Sequence, residues 1–473
     1  MPHIDIGDLK LPAQYNTLQQ GLFDEIRAKI VHGLWATASK LPSTRKLADE
    51  LQVSRNTVSA VYEQLVFEGY IESRKGSGFY VSLELPDHYL PDNDCKTSIA
   101  VSPIQQIKNH SFAPGVPDLS ELPLKKWQRY LQIHASRTAI LGSHDVQGCY
   151  ELRQAISDYL SASRSVICNA NRIIITSGAQ QALSISIMAT MNATDTLLLE
   201  YPGYVQMDKV AKLFNIDKQH VDVNPFTGLN IEQLLASKAK ALYVTPSNQY
   251  PMGTTINTEQ RLKIIEWAQR NNSWIIEDDY DSEFQFAHRP YTSMQGLAGQ
   301  LNLDKHVIYV GSLSKVMFNG LRLGYMVVPE HLVARCNEIK DALSGDSPAH
   351  MQYALADFIA DGELLRHIRK MRRLYKQKHQ LMTQAIEQHF GSNVEIISQA
   401  GGLHITLRWL GGLDEETLRI KALKHGITVR SLSYYEPDGN KGRTWRGIVL
   451  GYGNTPLDSI DVKIAQLADC FFS

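Results

Sequence analysis

Between positions 17 and 33, Leu18, Leu22, Ile26 and Ile30 recur every four residues, the spacing of an amphipathic helix that ends near Gly33. A short helix follows over 41–51, with Ser43 or Thr44 as its N-cap, and Gln52-Val53 make a turn. Ser54 caps a third helix, from Arg55 to about Glu68, whose one face carries Val58, Val61, Tyr62 and Leu65. Positions 70–81 read as two short strands around a basic, glycine-bearing turn. Helix, helix, tight turn, helix, hairpin is the order of a winged helix-turn-helix.

From 83 to 110 no period is sustained, and Pro, Asp, Asn and Ser accumulate, as in a linker. That length spans about 90 Å at full extension. Beyond it, helical patterns alternate with short apolar runs at 172–176, 196–200, 241–245, 273–278 and 306–310. Runs apolar on both faces and separated by helices predict a largely parallel sheet covered on both sides, an α/β domain. Three segments result: a winged head at 1–82, a linker at 83–110 and a large α/β domain at 111–473.

Composition narrows this little. With 43% hydrophobic and 21% charged residues over 473 positions, the chain reads as a globular protein of more than one domain. The net charge of −1 points to no global attraction to nucleic acid, so such a partner must meet a local patch. Five scattered cysteines have no metal-ligand spacing and are expected to be reduced thiols, consistent with a cytoplasmic protein. The N-terminus has no basic-then-apolar signal pattern, and no apolar run approaches membrane-spanning length.

The chemistry sits at predictable places. Arg55, Asn56 and Thr57 open the third helix, where a recognition helix meets base edges and phosphates, and Arg74 and Lys75 lie on the wing, within reach of the duplex backbone. In the large domain, ligands of an open α/β sheet bind beyond the carboxyl ends of the strands. The first run ends in Thr176-Ser-Gly178-Ala179-Gln180, a glycine turn opening a helix, which offers N–H groups to a phosphate. The second leads to Tyr204, a ring that can stack; the third to Asn248; the fourth to Glu277-Asp278-Asp279-Tyr280. Carboxylates closing a buried strand need a cationic partner. The fifth delivers Ser312, Ser314 and Lys315, with Arg322 seven positions on. A desolvated lysine becomes a reactive neutral amine that forms a Schiff base with an aldehyde, and the serines and the arginine suit a phosphate monoester. Phosphate cradle, stacking ring, asparagine, acid with phenol, and amine together describe a pocket for pyridoxal 5'-phosphate.

The head resembles the DNA-binding domain of GntR-type regulators through Leu41-Pro-Ser-Thr-Arg45, Val53-Ser-Arg-Asn-Thr-Val58, Glu68-Gly-Tyr-Ile71 and Gly76-Ser-Gly78. That resemblance implies DNA contacts from Arg45, Ser54, Arg55, Thr57 and the wing glycines Gly76 and Gly78. Residues 111–473 resemble fold-type I aminotransferases, with Phe112-Ala-Pro-Gly-Val-Pro-Asp118 and Gly148-Cys-Tyr-Glu-Leu-Arg153 as further matching blocks. The combination is the architecture of MocR/GabR-type regulators. It implies a large, mostly parallel sheet domain with a small C-terminal α+β subdomain, and a homodimer. By position, Lys315 holds the cofactor as an internal aldimine, Asp278 pairs with the pyridine nitrogen, and Tyr280 and Asn248 approach the ring hydroxyl. Tyr204 stacks on the ring, while Gly178, Ala179, Gln180, Ser312, Ser314 and Arg322 hold the phosphate. Asp279 competes with Asp278 for the nitrogen; strand alternation favours Asp278, on the side of Tyr280.

One departure stands out. The late strand that carries a carboxylate-gripping arginine in such aminotransferases reads Gly447-Ile-Val-Leu-Gly-Tyr452 here, so Arg430 is the first substitute, ahead of Arg443 and Arg446. The resulting expectation is a promoter-binding regulator that senses an amino compound or a vitamin B6 vitamer through the aldimine at Lys315. The alternative is a working aminotransferase with an appended DNA-binding domain; enzyme turnover stays undecided, with at most residual transaminase activity expected.

Overall fold

The computed structural model describes residues 4, 9, 17–84, 110–142, 144–286, 291–439 and 442–473. It divides into two compact units, Met1–Gln106 and Ile107–Ser473. Most of the linker expected over 83–110 lies outside the described residues.

In the first unit, helices α1 (Leu18–Val31), α2 (Thr44–Leu51) and α3 (Arg55–Phe67) precede a hairpin of β1 (Ile71–Arg74) and β2 (Gly78–Val81). Thr17, Ser43 and Ser54 are the N-caps, each accepting an N–H of the first turn. The choice between Ser43 and Thr44 thus falls to Ser43. Leu22, Ile26, Leu47, Val58, Val61, Tyr62 and Leu65 close one apolar core. Hairpin register pairs Ile71 with Val81 and Arg74 with Gly78. Gly76 and Gly78 both have positive φ (76° and 110°), a conformation that glycine adopts without strain.

The second unit is built on an eight-stranded sheet, in the order β3-β10-β9-β8-β7-β4-β5-β6. Its strands are β3 (Ile173–Thr176), β4 (Thr196–Tyr201), β5 (Asp217–Asn224), β6 (Gly228–Leu229), β7 (Ala241–Val244), β8 (Trp274–Asp279), β9 (Val307–Ser312) and β10 (Gly324–Val327). The central pairs are parallel, whereas β10 runs antiparallel between β3 and β9, and β6 antiparallel to β5. Because β10 is antiparallel to both neighbours, β3 and β9 point the same way, and the carboxyl ends of six strands, β3, β4, β5, β7, β8 and β9, share one edge. Apolar clusters lie on the sheet's two faces, as uninterrupted apolar strands require. A four-stranded antiparallel sheet follows, ordered β11-β12-β14-β13 (Glu395–Ile396, His404–Trp409, Arg446–Gly451 and Arg430–Ser431) and reached along the long helix Glu363–Phe390.

Candidate functional site

At the shared strand edge lies a cavity of about 440 Å³. Its wall includes Ala179, Gln180, Tyr204, Asp278, Tyr280, Ser312, Ser314, Lys315, Arg322 and Arg430, so ten positions singled out in the sequence converge on one space. Lys315 follows β9 in the loop before β10, and its amine donates to the carbonyl of Gly115. Gly115 has φ 80°, a conformation that glycine adopts without strain, and a Cβ there would stand 2.9 Å from that amine. Desolvation pushes the Lys315 amine down from 10.5 to about 8, with Asp281 opposing the shift and Arg430 reinforcing it.

The acidic end of β8 distributes its three carboxylates differently. Glu277 accepts the N–H groups of Met294 and Gln295, at the start of the helix Met294–Gln300. Asp279 leaves the cavity: Arg164 donates to its Oδ2 at 2.6 Å and Tyr309 at 2.7 Å. Burial alone would raise Asp279, but Arg164 and these hydrogen bonds outweigh it and hold the carboxyl low. Asp278 faces the cavity. Tyr243 donates to its Oδ2 at 2.8 Å, Oδ1 has no partner, and desolvation pushes the carboxyl up to about 7. Asp279 also keeps Oδ1 outside its network, but its charge is already matched.

The glycine turn after β3 takes the expected place. Gly178 has φ 83° and precedes the helix Ala179–Thr190, whose first two residues line the cavity. Gly324 of β10 packs so tightly that a Cβ there would stand 2.8–2.9 Å from the Gly178 backbone. Arg322 takes a positive φ of 50° and donates to the carbonyl of Ser177 at 2.9 Å, which holds its guanidinium beside the turn. The Tyr204 ring stacks on that of Tyr243, with centroids 6.4 Å apart.

Two expected cavity residues stand outside its lining: Gly178, just before Ala179, and Asn248. Asn248 is turned elsewhere: its Nδ2 donates to both oxygens of Asp281 at 3.1 Å, while its main-chain carbonyl accepts from the Tyr280 hydroxyl at 2.8 Å. Asp281 is itself buried and pushed up to about 8 by desolvation, against the pull of Asn248. Sequence reading also passed over Tyr243 and Tyr250. A tyrosine inside an otherwise apolar strand, as at Tyr243, was the available signal, because a buried hydroxyl needs a partner.

The three candidate arginines separate cleanly. Arg430 of β13 lines the cavity with its guanidinium 5.3 Å from the Tyr434 ring. It pairs across the sheet with Val449 of β14, the strand in which no arginine was found after Gly447. Arg443 is held by Glu415 and Glu436, both at 2.8 Å, and Arg446 turns outward to the carbonyl of Gly412.

In the first unit, Arg45, Ser54, Arg55, Asn56, Arg74, Lys75, Gly76 and Gly78 are exposed, and Thr57 is half-buried. Ser54 Oγ accepts the Thr57 N–H at 3.1 Å and lies 2.8 Å from its Oγ1. Arg74 is tethered to Glu72 and stacks over the Tyr80 ring at 4.4 Å, which stiffens the wing. No described helix is long and apolar enough to cross a membrane, and among the described residues no His/Cys/Asp/Glu cluster could hold a metal.

Comparison with known proteins places both units. Residues 18–81 match the family model of bacterial regulatory proteins of the gntR family, and residues 112–444 that of aminotransferase class I and II. The chain is 31% identical to the probable rhizopine catabolism regulatory protein MocR of Rhizobium meliloti, covering 96% of this chain and 94% of that one. It is 29% identical to the pyridoxine biosynthesis transcriptional regulator PdxR of Corynebacterium glutamicum, over 97% of each. Among solved structures, the α-aminoadipate aminotransferase LysN of Thermus thermophilus superposes with a TM-score of 0.70 at 22% identity, over 77% of this chain and 92% of that one. At that identity the likeness speaks for the fold alone. A gntR-family DNA-binding head and a class I and II aminotransferase domain in one chain, shared along nearly the full length of these regulators, make this protein a member of the MocR type of helix-turn-helix transcriptional regulators.

Proposed function

We propose that this DNA-binding regulator holds pyridoxal 5'-phosphate in the cavity at Lys315 and reads an amino compound or a vitamin B6 vitamer there. The observation that carries the reading is Asp278: a buried carboxylate with an unpartnered oxygen on the same cavity wall as a desolvated amine. A protonated pyridine nitrogen is the partner such an oxygen lacks, and its charge would bring the Asp278 carboxyl back down. The donor set fits the rest of the molecule. Ser312, Ser314, Arg322 and the N–H groups at Gly178, Ala179 and Gln180 would hold the phosphate. Tyr204 would cover the ring, Tyr280 would reach its hydroxyl, and Asn248 would support it through the Tyr280 hydrogen bond.

When bound, the cofactor supplies an aldehyde that exchanges between amines. Lys315 Nζ is the protein's own amine for that aldehyde, and its lowered pKa keeps a usable neutral fraction near neutral pH. Arg430, across the cavity with Tyr250 and Tyr434 near it, would orient the carboxylate of an incoming amino compound. DNA would be met by Arg45, Ser54, Arg55, Asn56 and Thr57 and by the wing residues Arg74, Lys75, Gly76 and Gly78. The domain division at 1–82, 83–110 and 111–473, a homodimeric assembly and a cytoplasmic location belong to the same reading.

A spectral titration tests it. Purified protein is expected to absorb in the visible, and amino compounds or B6 vitamers to shift that band and the DNA affinity together. Lys315→Ala is expected to abolish the band while the fold persists by circular dichroism. A colourless wild-type protein that stays colourless with added pyridoxal 5'-phosphate would refute the cofactor. Steady transamination at enzyme-like rates would move the balance toward the aminotransferase alternative.

A further inference from the structure

We propose that the outward face of the long helix Glu363–Phe390 is a second nucleic-acid surface, a track for duplex phosphates on the aminotransferase-like unit and distinct from the reading head. Between Arg366 and Lys378 the sequence places seven Lys or Arg and no Asp or Glu, in a protein whose net charge is −1. Two of the seven are used inside. Lys378 is buried and donates to Asp118 and to the Gly453 carbonyl, both at 2.7 Å; Arg372 is half-buried and donates to the Glu283 carbonyl at 2.7 Å. The other five, Arg366, Arg369, Lys370, Arg373 and Lys376, are exposed. At 3.6 residues per turn they fall within an arc of about 120° and a rise of about 15 Å.

Arg366 and Lys370 have acidic neighbours, Glu363 at 2.8 Å and Glu121 at 2.5 Å. Arg369, Arg373 and Lys376 have no ion pair or side-chain hydrogen bond among the described residues. Like charges three and four positions apart repel along a helix, so this face destabilises itself until an anion covers it. A duplex presents the complementary object, a regular row of phosphates with one charge per about 1.7 Å of axis. The head already delivers that duplex, and covalent linkage raises its effective concentration at the second surface.

The test uses the full-length protein and a random-sequence duplex of roughly 60 base pairs, because non-specific affinity is carried by phosphate contacts alone. Wild type, the triple variant R369Q/R373Q/K376Q and a charge-matched control, K209Q/K238Q/K424Q, are titrated by fluorescence anisotropy over about 50–200 mM salt. Loss of three phosphate contacts is expected to make the slope of log K against log salt shallower by about 2.7, with the control parallel to wild type. The single variant R373Q, the less disruptive change, is expected to lower it by about 0.9. Parallel lines for wild type and the triple variant overturn the proposal. An equal change in the control does so as well, since it reports net charge alone. So does a change in oligomeric mass by light scattering, which would assign the face to a subunit interface.

Discussion

Asp278 and Asp279 are chain neighbours with opposite surroundings, because successive side chains of a strand leave by opposite faces. One meets Arg164 in a pair that is nearly inaccessible to water, and the other meets an open cavity. Substitutions should therefore separate binding from folding. Asp278→Asn is expected to weaken pyridoxal phosphate binding by tenfold or more in an equilibrium titration, while apoprotein stability holds or rises, since it removes an uncompensated buried charge. Arg164→Met is expected to lower the stability of the second unit by about 3–5 kcal/mol in denaturant unfolding, because it leaves Asp279 charged and unpaired. Lys315 supplies a prediction about pH. Only the neutral amine attacks an aldehyde, and desolvation has lowered its pKa to about 8. Capture of pyridoxal phosphate by apoprotein, followed by stopped-flow absorbance, is expected to speed up as pH rises toward 8 and to level off above it; an ordinary lysine would keep accelerating toward 10.5.

At the level of elements, α3 depends on Ser54, which satisfies the Thr57 N–H at its start. Ser54→Ala is expected to cost about 1 kcal/mol in thermal unfolding of the head. Arg55→Ala acts differently: it is expected to leave that transition in place and to lower operator affinity by about 1–3 kcal/mol in a gel shift, the worth of a bidentate base contact. The head was legible because its helices are amphipathic and its caps are local, and a few residues suffice to specify each. The buried strands were legible for the same reason, as short apolar runs bounded by turns. Less visible was β10, whose apolar sequence carries no mark of direction; its antiparallel pairing follows from the short connection from β9 through Arg322. Strand β5, beside the two-residue edge strand β6, has only a weak alternation of exposed and buried residues, and no strand was read there. Asn248 illustrates a deeper limit. Its position after β7 was apparent, but its partner Asp281 comes from the turn after β8, and a side chain's direction depends on packing that no linear pattern records.

For the whole molecule, the proposed function requires a cavity in one unit to change DNA binding by another. A ligand moves a two-state equilibrium only by its differential affinity, and shifting 1:99 to 99:1 requires about 5.5 kcal/mol. In the proposed reading, exchange of partners at Lys315, with Arg430 brought in from the C-terminal sheet, would change contacts on both sheets of the second unit at once and supply that difference. Everything in this account depends on the amine of Lys315 carrying the cofactor. Borohydride reduction of the purified protein followed by peptide mass spectrometry measures this directly. The expected result is a phosphopyridoxyl adduct on the peptide containing Lys315 and on no other lysine; an unmodified Lys315, or an adduct elsewhere in the chain, would contradict it.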